Sequence, residues 1–264
     1  LYIFKKNYYQ ILLKLEFGIC NLSLIPLRIN PNHDSEMISQ LFYGETFSII
    51  DSKNDWFKVS LSWDNYKGWI NKKQLKKIDE VDFEKLNTSK SHYITNLFEY
   101  ISLKNGLIFP VCIGADVSVC DFLNHSHNLN KINKNKSIRE SIVKTAYCYL
   151  NTPYLWGGKS PFGIDCSGLS QMVYKINGIK LKRDANQQAE QGKTLSFIDE
   201  SDQGDLAFFN DEEGKIVHVG ILLNNNNIIH AHGKVRIDRI DQTGIFNSDE
   251  NKHSHKLRFI KKII

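Results

Sequence analysis

A cysteine stands between an acid and a hydroxyl in the run Gly157-Gly158-Lys159-Ser160-Pro161-Phe162-Gly163-Ile164-Asp165-Cys166-Ser167, after a glycine-rich turn and before an apolar-periodic helix. The unpaired N–H groups at the start of such a helix carry partial positive charge, which favours thiolate over thiol. Downstream, His218 lies in the strand-like run Ile216-Val217-His218-Val219-Gly220-Ile221, and His230 lies in Ile228-Ile229-His230-Ala231-His232. A thiol nucleophile, a histidine base and a polar residue that orients the base are the parts of cysteine acyl-transfer catalysis. Cys166 is therefore the expected nucleophile. His218 is expected to take the thiol proton, return it to the leaving amine, and form a thiolate–imidazolium pair that depresses the cysteine pKa. His230 is expected to hold the second ring nitrogen of His218 and fix its tautomer. His232 shares that strand face by the period of two, so spacing alone leaves both histidines open.

The elements that must position these groups are legible in the periodicity. Ser137 with Glu140 three residues later is a capping-box start, and Ile138, Ile142, Ala146 and Leu150 recur on one helical face. After Cys166, Leu169, Met172, Val173 and Ile176 keep helical spacing until Asn177-Gly178 ends the helix. Residues 206–209, 216–223, 228–232 and 235–240 read as antiparallel strands, with the four asparagines at 224–227 as a hairpin loop. Helices first and strands after predict an α+β domain over 134–264. Further upstream, short strands at 20–28, 40–42, 46–51, 56–61 and 67–71 alternate with turns at Asn54-Asp55 and Asp64-Asn65, the pattern of a small barrel or sandwich over 16–77. Residues 78–133 give a weaker β reading, with strands expected at 107–111 and 117–122 and an Asn/His/Lys-rich linker at 124–136.

Bulk properties exclude several classes. With 264 residues, 41% hydrophobic and 24% charged, the chain has room for two or three soluble domains. The net charge of +5 is mild and its basic residues are scattered or in short clusters such as 252–262, which reads as solvated surface rather than a nucleic-acid site. The five cysteines (Cys20, Cys112, Cys120, Cys148, Cys166) are odd in number and follow neither a disulfide nor a zinc pattern, so reduced thiols and no metal or organic cofactor are expected. The apolar and basic start, residues 1–15, has the look of a signal peptide, but Lys14 and Glu16 interrupt it and no small-residue cleavage site follows. No stretch approaches the roughly 18 apolar residues of a membrane span. A cytoplasmic location is expected, with export the alternative if a signal precedes residue 1.

Four ordered blocks resemble the NlpC-type family of bacterial cell-wall cysteine peptidases: Thr152-Pro153-Tyr154-Leu155-Trp156-Gly157-Gly158, Gly163-Ile164-Asp165-Cys166-Ser167-Gly168, His218-Val219-Gly220-Ile221 and Ile228-Ile229-His230-Ala231. The front is similar to a bacterial SH3-like domain in Pro26-Leu27-Arg28, Ser35-Glu36-Met37, Gly44-Glu45, Asp55-Trp56 and Asp64-Asn65-Tyr66-Lys67-Gly68-Trp69. The combination resembles the γ-D-glutamyl-diamino acid dipeptidyl peptidases. It implies two small SH3-like β-barrels, 16–77 and 78–133, ahead of a papain-like α+β catalytic domain, in a monomer. It also implies Cys166, His218 and His230 as the catalytic set and a murein peptide with a free N-terminal L-Ala as substrate. Tyr154 and the Cys166 N–H are implied to hold the oxyanion. Glu36 and Tyr66 would reach across from the first barrel to cap the site, while Asp165, Ser167 and Asp184 contact the peptide, whose buried ammonium needs acceptors. Trp156 is expected to shape the wall beneath the glycine turn. The alternatives are a secreted hydrolase of polymeric wall, an acyl transferase on the same core, and a binding module with a dead site.

Overall fold

The computed structural model describes residues 16–129 and 137–264. The N-terminal extension over 1–15 and most of the expected linker lie outside the described residues.

The first unit is a seven-stranded antiparallel sheet of β1 (Glu16–Ile19), β2 (Leu24–Arg28), β3 (Met37–Phe42), β4 (Thr46–Lys53), β5 (Trp56–Leu61), β6 (Lys67–Asn71) and β7 (Lys76–Ile78), in the order β3-β2-β6-β5-β4-β1-β7. Phe57, Val59 and Leu61 alternate along β5 into a core with Ile25, Leu27, Leu41 and Phe47. The two expected turns fall at Asn54 (φ 49°) and Asn65 (φ 60°), left-handed positions that asparagine tolerates.

The middle segment differs from expectation. It holds α1 (Glu80–Thr88), β8 (Phe98–Leu103), β9 (Ile108–Cys112), α2 (Cys120–Leu123) and β10 (His125–Ser126), with a three-stranded sheet in the order β10-β8-β9. Residues 117–122, expected as a strand, are helical. The Asp116 side chain accepts from the Ser118 N–H and turns the chain into a 3₁₀ turn that runs on into α2. Three strands bury little by themselves. Ile94, Ile101, Val111 and Val117 accordingly share one apolar cluster with Ile19 and Tyr43 of the first sheet.

The third unit contains α3 (Ile138–Tyr147), β11 (Lys159–Ser160), β12 (Gly163–Ile164), α4 (Cys166–Ile176), α5 (Ala185–Gln188), β13 (Lys193–Leu195), β14 (Leu206–Asn210), β15 (Ile216–Leu223), β16 (Asn227–His232), β17 (Lys234–Ile240), β18 (Gly244–Asn247) and β19 (Lys252–Lys262). The basic cluster at 252–262, read from sequence as solvated surface, is the longest strand. Its Lys and Arg side chains face solvent, which masks the inward Leu257, Phe259 and Ile260. Pairing of β18 with β19 closes β14 to β19 into a barrel, so the sheet is not the open layer that the helix-then-strand order predicts. Along β15, Val219, Ile221 and Leu223 face the helices, whereas Leu222 joins Ala207, Phe209 and Ile228 on the other, inner face.

Helix α4 is buried along its whole length. Its polar residues must therefore find partners, and two of them find these in the first sheet unit. Gln171 Nε2 donates to Asp64 Oδ2 at 2.8 Å, and Lys175 Nζ meets Glu45 Oε1 at 2.5 Å. Burial opposes ionisation of Glu45, but Lys175 and Lys159 outweigh it and hold the carboxyl below its usual range. The front unit is thus clamped onto the helix that begins with Cys166.

Candidate active site

Cys166 is the first residue of α4, and Asp165 is its N-cap. The cap carboxylate accepts from Gly168 N at 2.6 Å and Gly157 N at 2.8 Å, and it is gripped by Arg183, with Nη1 to Oδ1 at 3.0 Å and Nη2 to Oδ2 at 2.5 Å. Arg183 also reaches Ser167 Oγ at 2.9 Å and Ser39 Oγ at 3.2 Å. Asp165 and Ser167, expected on the substrate, are consequently taken up inside the protein; the fully packed guanidinium explains it, since a buried cation needs its acceptors. Gly157 is required by its φ of +75° and by the Met37 carbonyl, which would lie 2.1 Å from any Cβ there. The nucleophile loop and the first sheet touch backbone to backbone at this point.

The Cys166 N–H has no hydrogen-bond partner among the described residues, which leaves it as a donor at the helix N-terminus. Burial, reinforced by the Asp165 carboxylate, pushes the thiol up to about 12, with the N–H groups of Val219 and Ser167 acting against it. Burial and then the neighbouring imidazoles of His230, His255 and His232 hold His218 well below the ordinary imidazole value of 6.5. Burial thus works against a charge on either group, and so against the expected thiolate–imidazolium pair. The reason is desolvation, which penalises both charges at once.

His218 on β15 and His230 on β16 meet at 2.8 Å, Nε2 to Nδ1. His232, one strand period further, is exposed. His230 Nε2 lies 3.0 Å from Asp238 Oδ2 on β17, and Arg236 Nη2 donates to Asp238 Oδ1 at 2.8 Å. Burial works against ionisation of Asp238, but His230 and Arg236 prevail and lower its pKa. With Asp238 an acceptor, the network assigns the proton of His230 to Nε2 and that of His218 to its own Nε2. Nδ1 of His218 keeps the lone pair that a general base needs. His218 also packs against Phe209, with ring centroids 5.7 Å apart, and stacks on His255 of β19 at 4.2 Å.

This packing has a pH signature. His218 and His230 are depressed by burial, and burial with the neighbouring imidazoles brings His255 from 6.5 to about 4. Between those values the unfolded chain binds protons that the native site refuses, so stability is complete above pH 6.5 and is lost as pH falls towards about 4. The thermal midpoint should fall through that window, and His255→Phe should flatten the fall. Equal slopes for the two proteins would mean that His255 titrates freely in the native state.

Two side chains of the first sheet unit arrive beside this loop. Glu36 Oε1 accepts from Trp156 Nε1 at 2.5 Å, and the half-buried Tyr66 donates its hydroxyl to Asp184 Oδ1 at 3.0 Å. Burial, with Tyr66 and Arg183 opposing it, raises the Asp184 pKa. Tyr154 is partly exposed; burial, then the neighbouring Cys166 and Asp165, push its hydroxyl up to about 12 and keep it a proton donor.

Residues 151–249 match the NlpC/P60 family, and residues 27–75 match the bacterial dipeptidyl-peptidase SH3 domain. A gamma-D-glutamyl-L-lysine dipeptidyl-peptidase of Bacillus subtilis is 30% identical over 218 residues, which cover 75% of this chain and 73% of that one. The chain belongs to the NlpC/P60 family. Dipeptidyl-peptidase 6 of Lysinibacillus sphaericus is 40% identical over 111 residues, covering 40% of this chain and 38% of that one. The crystal structure of an NlpC/P60 family protein from Bacillus cereus superimposes with a TM-score of 0.74 over 94% of this chain and 99% of that one, at 18% identity, a likeness of fold.

Within this NlpC/P60 domain, sequence reasoning passed over Asp238 and His255, and it considered Asp184 rather than Asp165 as the ion-pair partner of Arg183. Asp238 was within reach. A tight turn at Gly233 pairs His232 with Lys234, which places Ile228 opposite Asp238 and sets Asp238 diagonal to His230 on the same face. Trp156, assigned only to the wall, also ties the nucleophile loop to Glu36.

Proposed function

We propose that this protein is a cysteine peptidase that hydrolyses the γ-D-glutamyl–diamino acid bond of murein peptides with a free N-terminal L-Ala, releasing L-Ala-γ-D-Glu. The observation that carries the reading is the arrival of Glu36, from the SH3 domain, at the indole of Trp156 in the nucleophile loop. With Tyr66 and Asp184 it supplies acceptors for an ammonium at a closed end of the cleft.

In this reading the Cys166 sulfur attacks the γ-carbonyl while its proton passes to Nδ1 of His218. The thiol is not hydrogen-bonded to His218 at rest, so the two close to hydrogen-bond reach as the peptide seats. The oxyanion is held by the Cys166 N–H and the Tyr154 hydroxyl. The imidazolium, steadied by His230 and Asp238, protonates the leaving α-amine as the C–N bond breaks. Water, deprotonated by His218, then cleaves the thioester. A capped site suits small released peptides more than cross-linked wall, the substrate of a monomeric cytoplasmic recycling enzyme. The domains in this reading are 16–77, 78–133 and 134–264, with the middle segment a reduced SH3-like module that leans on the first.

The test is hydrolysis of L-Ala-γ-D-Glu-diaminopimelate, free and N-acetylated, followed by mass spectrometry. Cleavage of the free peptide alone, at the γ-glutamyl bond, is expected. Equal cleavage of both would mean an open cleft and a hydrolase of polymeric wall. Glu36→Gln should lose about 1.5–3 kcal/mol of charge-assisted binding, on the order of ten- to a hundredfold in kcat/KM for the free peptide. Alkylation of Cys166 by iodoacetamide should stay unchanged in that variant. Unaltered kinetics would remove Glu36 from the site.

A further inference from the structure

The inner face of the C-terminal barrel gathers imidazoles beyond the two in the catalytic relay. Ligand nitrogens of His218, His230 and His255, from β15, β16 and β19, lie within 4.8 Å of one another. No pair of these strands reveals the trio by sequence spacing, because β19 enters through barrel closure. The surroundings match those of a metal site. Asp238 accepts from His230 Nε2, the carboxylate–histidine arrangement that orients metal-bound imidazoles, and Ser254 Oγ engages His255 Nδ1 at 2.8 Å. His232, exposed on the same face with its ring 4.8 Å from that of His255, stands at the entrance as a fourth donor.

We propose that His218, His230 and His255 form a binding site for a borderline-soft divalent cation, zinc in the first instance, and that occupancy switches the peptidase off. All-imidazole ligands select zinc, cobalt, nickel or copper over magnesium or calcium, which need oxygen donors. Zn–N bonds of about 2.0–2.1 Å place tetrahedral ligand nitrogens roughly 3.4 Å apart. The trio therefore has to close by small ring rotations only.

The switch follows from proton bookkeeping. At rest, His218 carries its proton on Nε2 and donates it to His230 Nδ1. A cation between these two nitrogens takes the lone pair of each, so the His218 proton relocates to Nδ1 with no net release. The Nδ1–H tautomer has no lone pair to accept the thiol proton, and the nucleophile is not activated. Only this effect on turnover rests on His218 being the base; the binding itself does not.

The experiment titrates Zn²⁺ into the metal-stripped full chain in competition with a chromophoric chelator, and records the Co²⁺ absorption spectrum of the same protein. One cation per chain is expected, with tetrahedral d–d bands and no thiolate-to-cobalt charge transfer. Cys166→Ala should retain the affinity, and His255→Phe should weaken it by at least about tenfold. No measurable Zn²⁺ binding would overturn the proposal. So would binding that survives His255→Phe, or binding lost in Cys166→Ala with a thiolate charge-transfer band in the wild type. If His255→Phe does not fold, the cobalt spectra of wild type and Cys166→Ala decide. Zinc binding by a chain whose metal-stripped form cleaves no peptide would leave the site standing and sink the peptidase reading instead.

Discussion

Cys166→Ala is expected to remove turnover of the murein peptide almost entirely, by roughly a millionfold in kcat, the loss seen when a catalytic nucleophile is deleted. No other thiol can substitute. Cys20, Cys112 and Cys120 are buried in apolar clusters and Cys148 is half-buried at the C-cap of α3, whereas the Cys166 sulfur lies at the N–H of Val219, the residue next to His218. The substitution removes a single sulfur from the first residue of α4, so the stability cost should stay near about 1 kcal/mol, typical of a single substitution. Peptide binding, followed by calorimetry, should persist because the acceptors Glu36, Tyr66 and Asp184 are untouched. The decisive comparison is hydrolysis rate against thermal midpoint. A loss of several kcal/mol in stability, or residual turnover close to wild type, would make Cys166 a packing residue and move the chemistry elsewhere.

Arg183→Met should produce the largest loss of stability. The guanidinium and the Asp165 carboxylate are both almost fully buried and joined by two contacts of 2.5 and 3.0 Å. Removing one partner strands an uncompensated carboxylate, which costs about 3–5 kcal/mol. For a chain of this size that lowers the melting temperature on the order of 10 °C. The stranded group is also the N-cap of α4, so the nucleophile should shift and turnover should fall with stability. Adding Asp165→Asn to the variant should recover part of the loss, because an amide caps a helix without a buried charge. Urea unfolding of the single and double variants measures both effects. A single-variant loss below about 1 kcal/mol would mean that water reaches Asp165 when Arg183 is gone, since a solvated ion pair is worth no more than that.

Local physics wrote much of this fold into the chain. The Ser137 cap receives the Glu140 N–H, and α4 ends at Asn177-Gly178. Strands β14 to β17 fall within a residue of the sequence reading, and the asparagine loop turns through left-handed Asn225 and Asn226. Each of these depends on neighbours a few residues apart, where capping, period and turn chemistry act. Misreadings arose where distant partners decide. Residues 252–262 look like solvated charge until barrel closure gives their apolar side chains a face to cover. The middle segment, expected as a second barrel, forms a three-stranded sheet whose apolar residues share a core with Ile19 and Tyr43.

The same division holds for the site. By itself the sequence determined that a cysteine begins a helix after a glycine turn and that histidines follow on strands, because these are local facts of spacing. Only the tertiary structure decided that His230 and not His232 meets His218, that Asp165 serves Arg183, and that burial opposes a charge on both the thiol and the imidazole. It alone brought His255 onto the His218 ring and Glu36 to Trp156. Burial and long-range pairing set those outcomes. Neither desolvation nor a contact between residues 120 apart leaves a periodic trace along the chain.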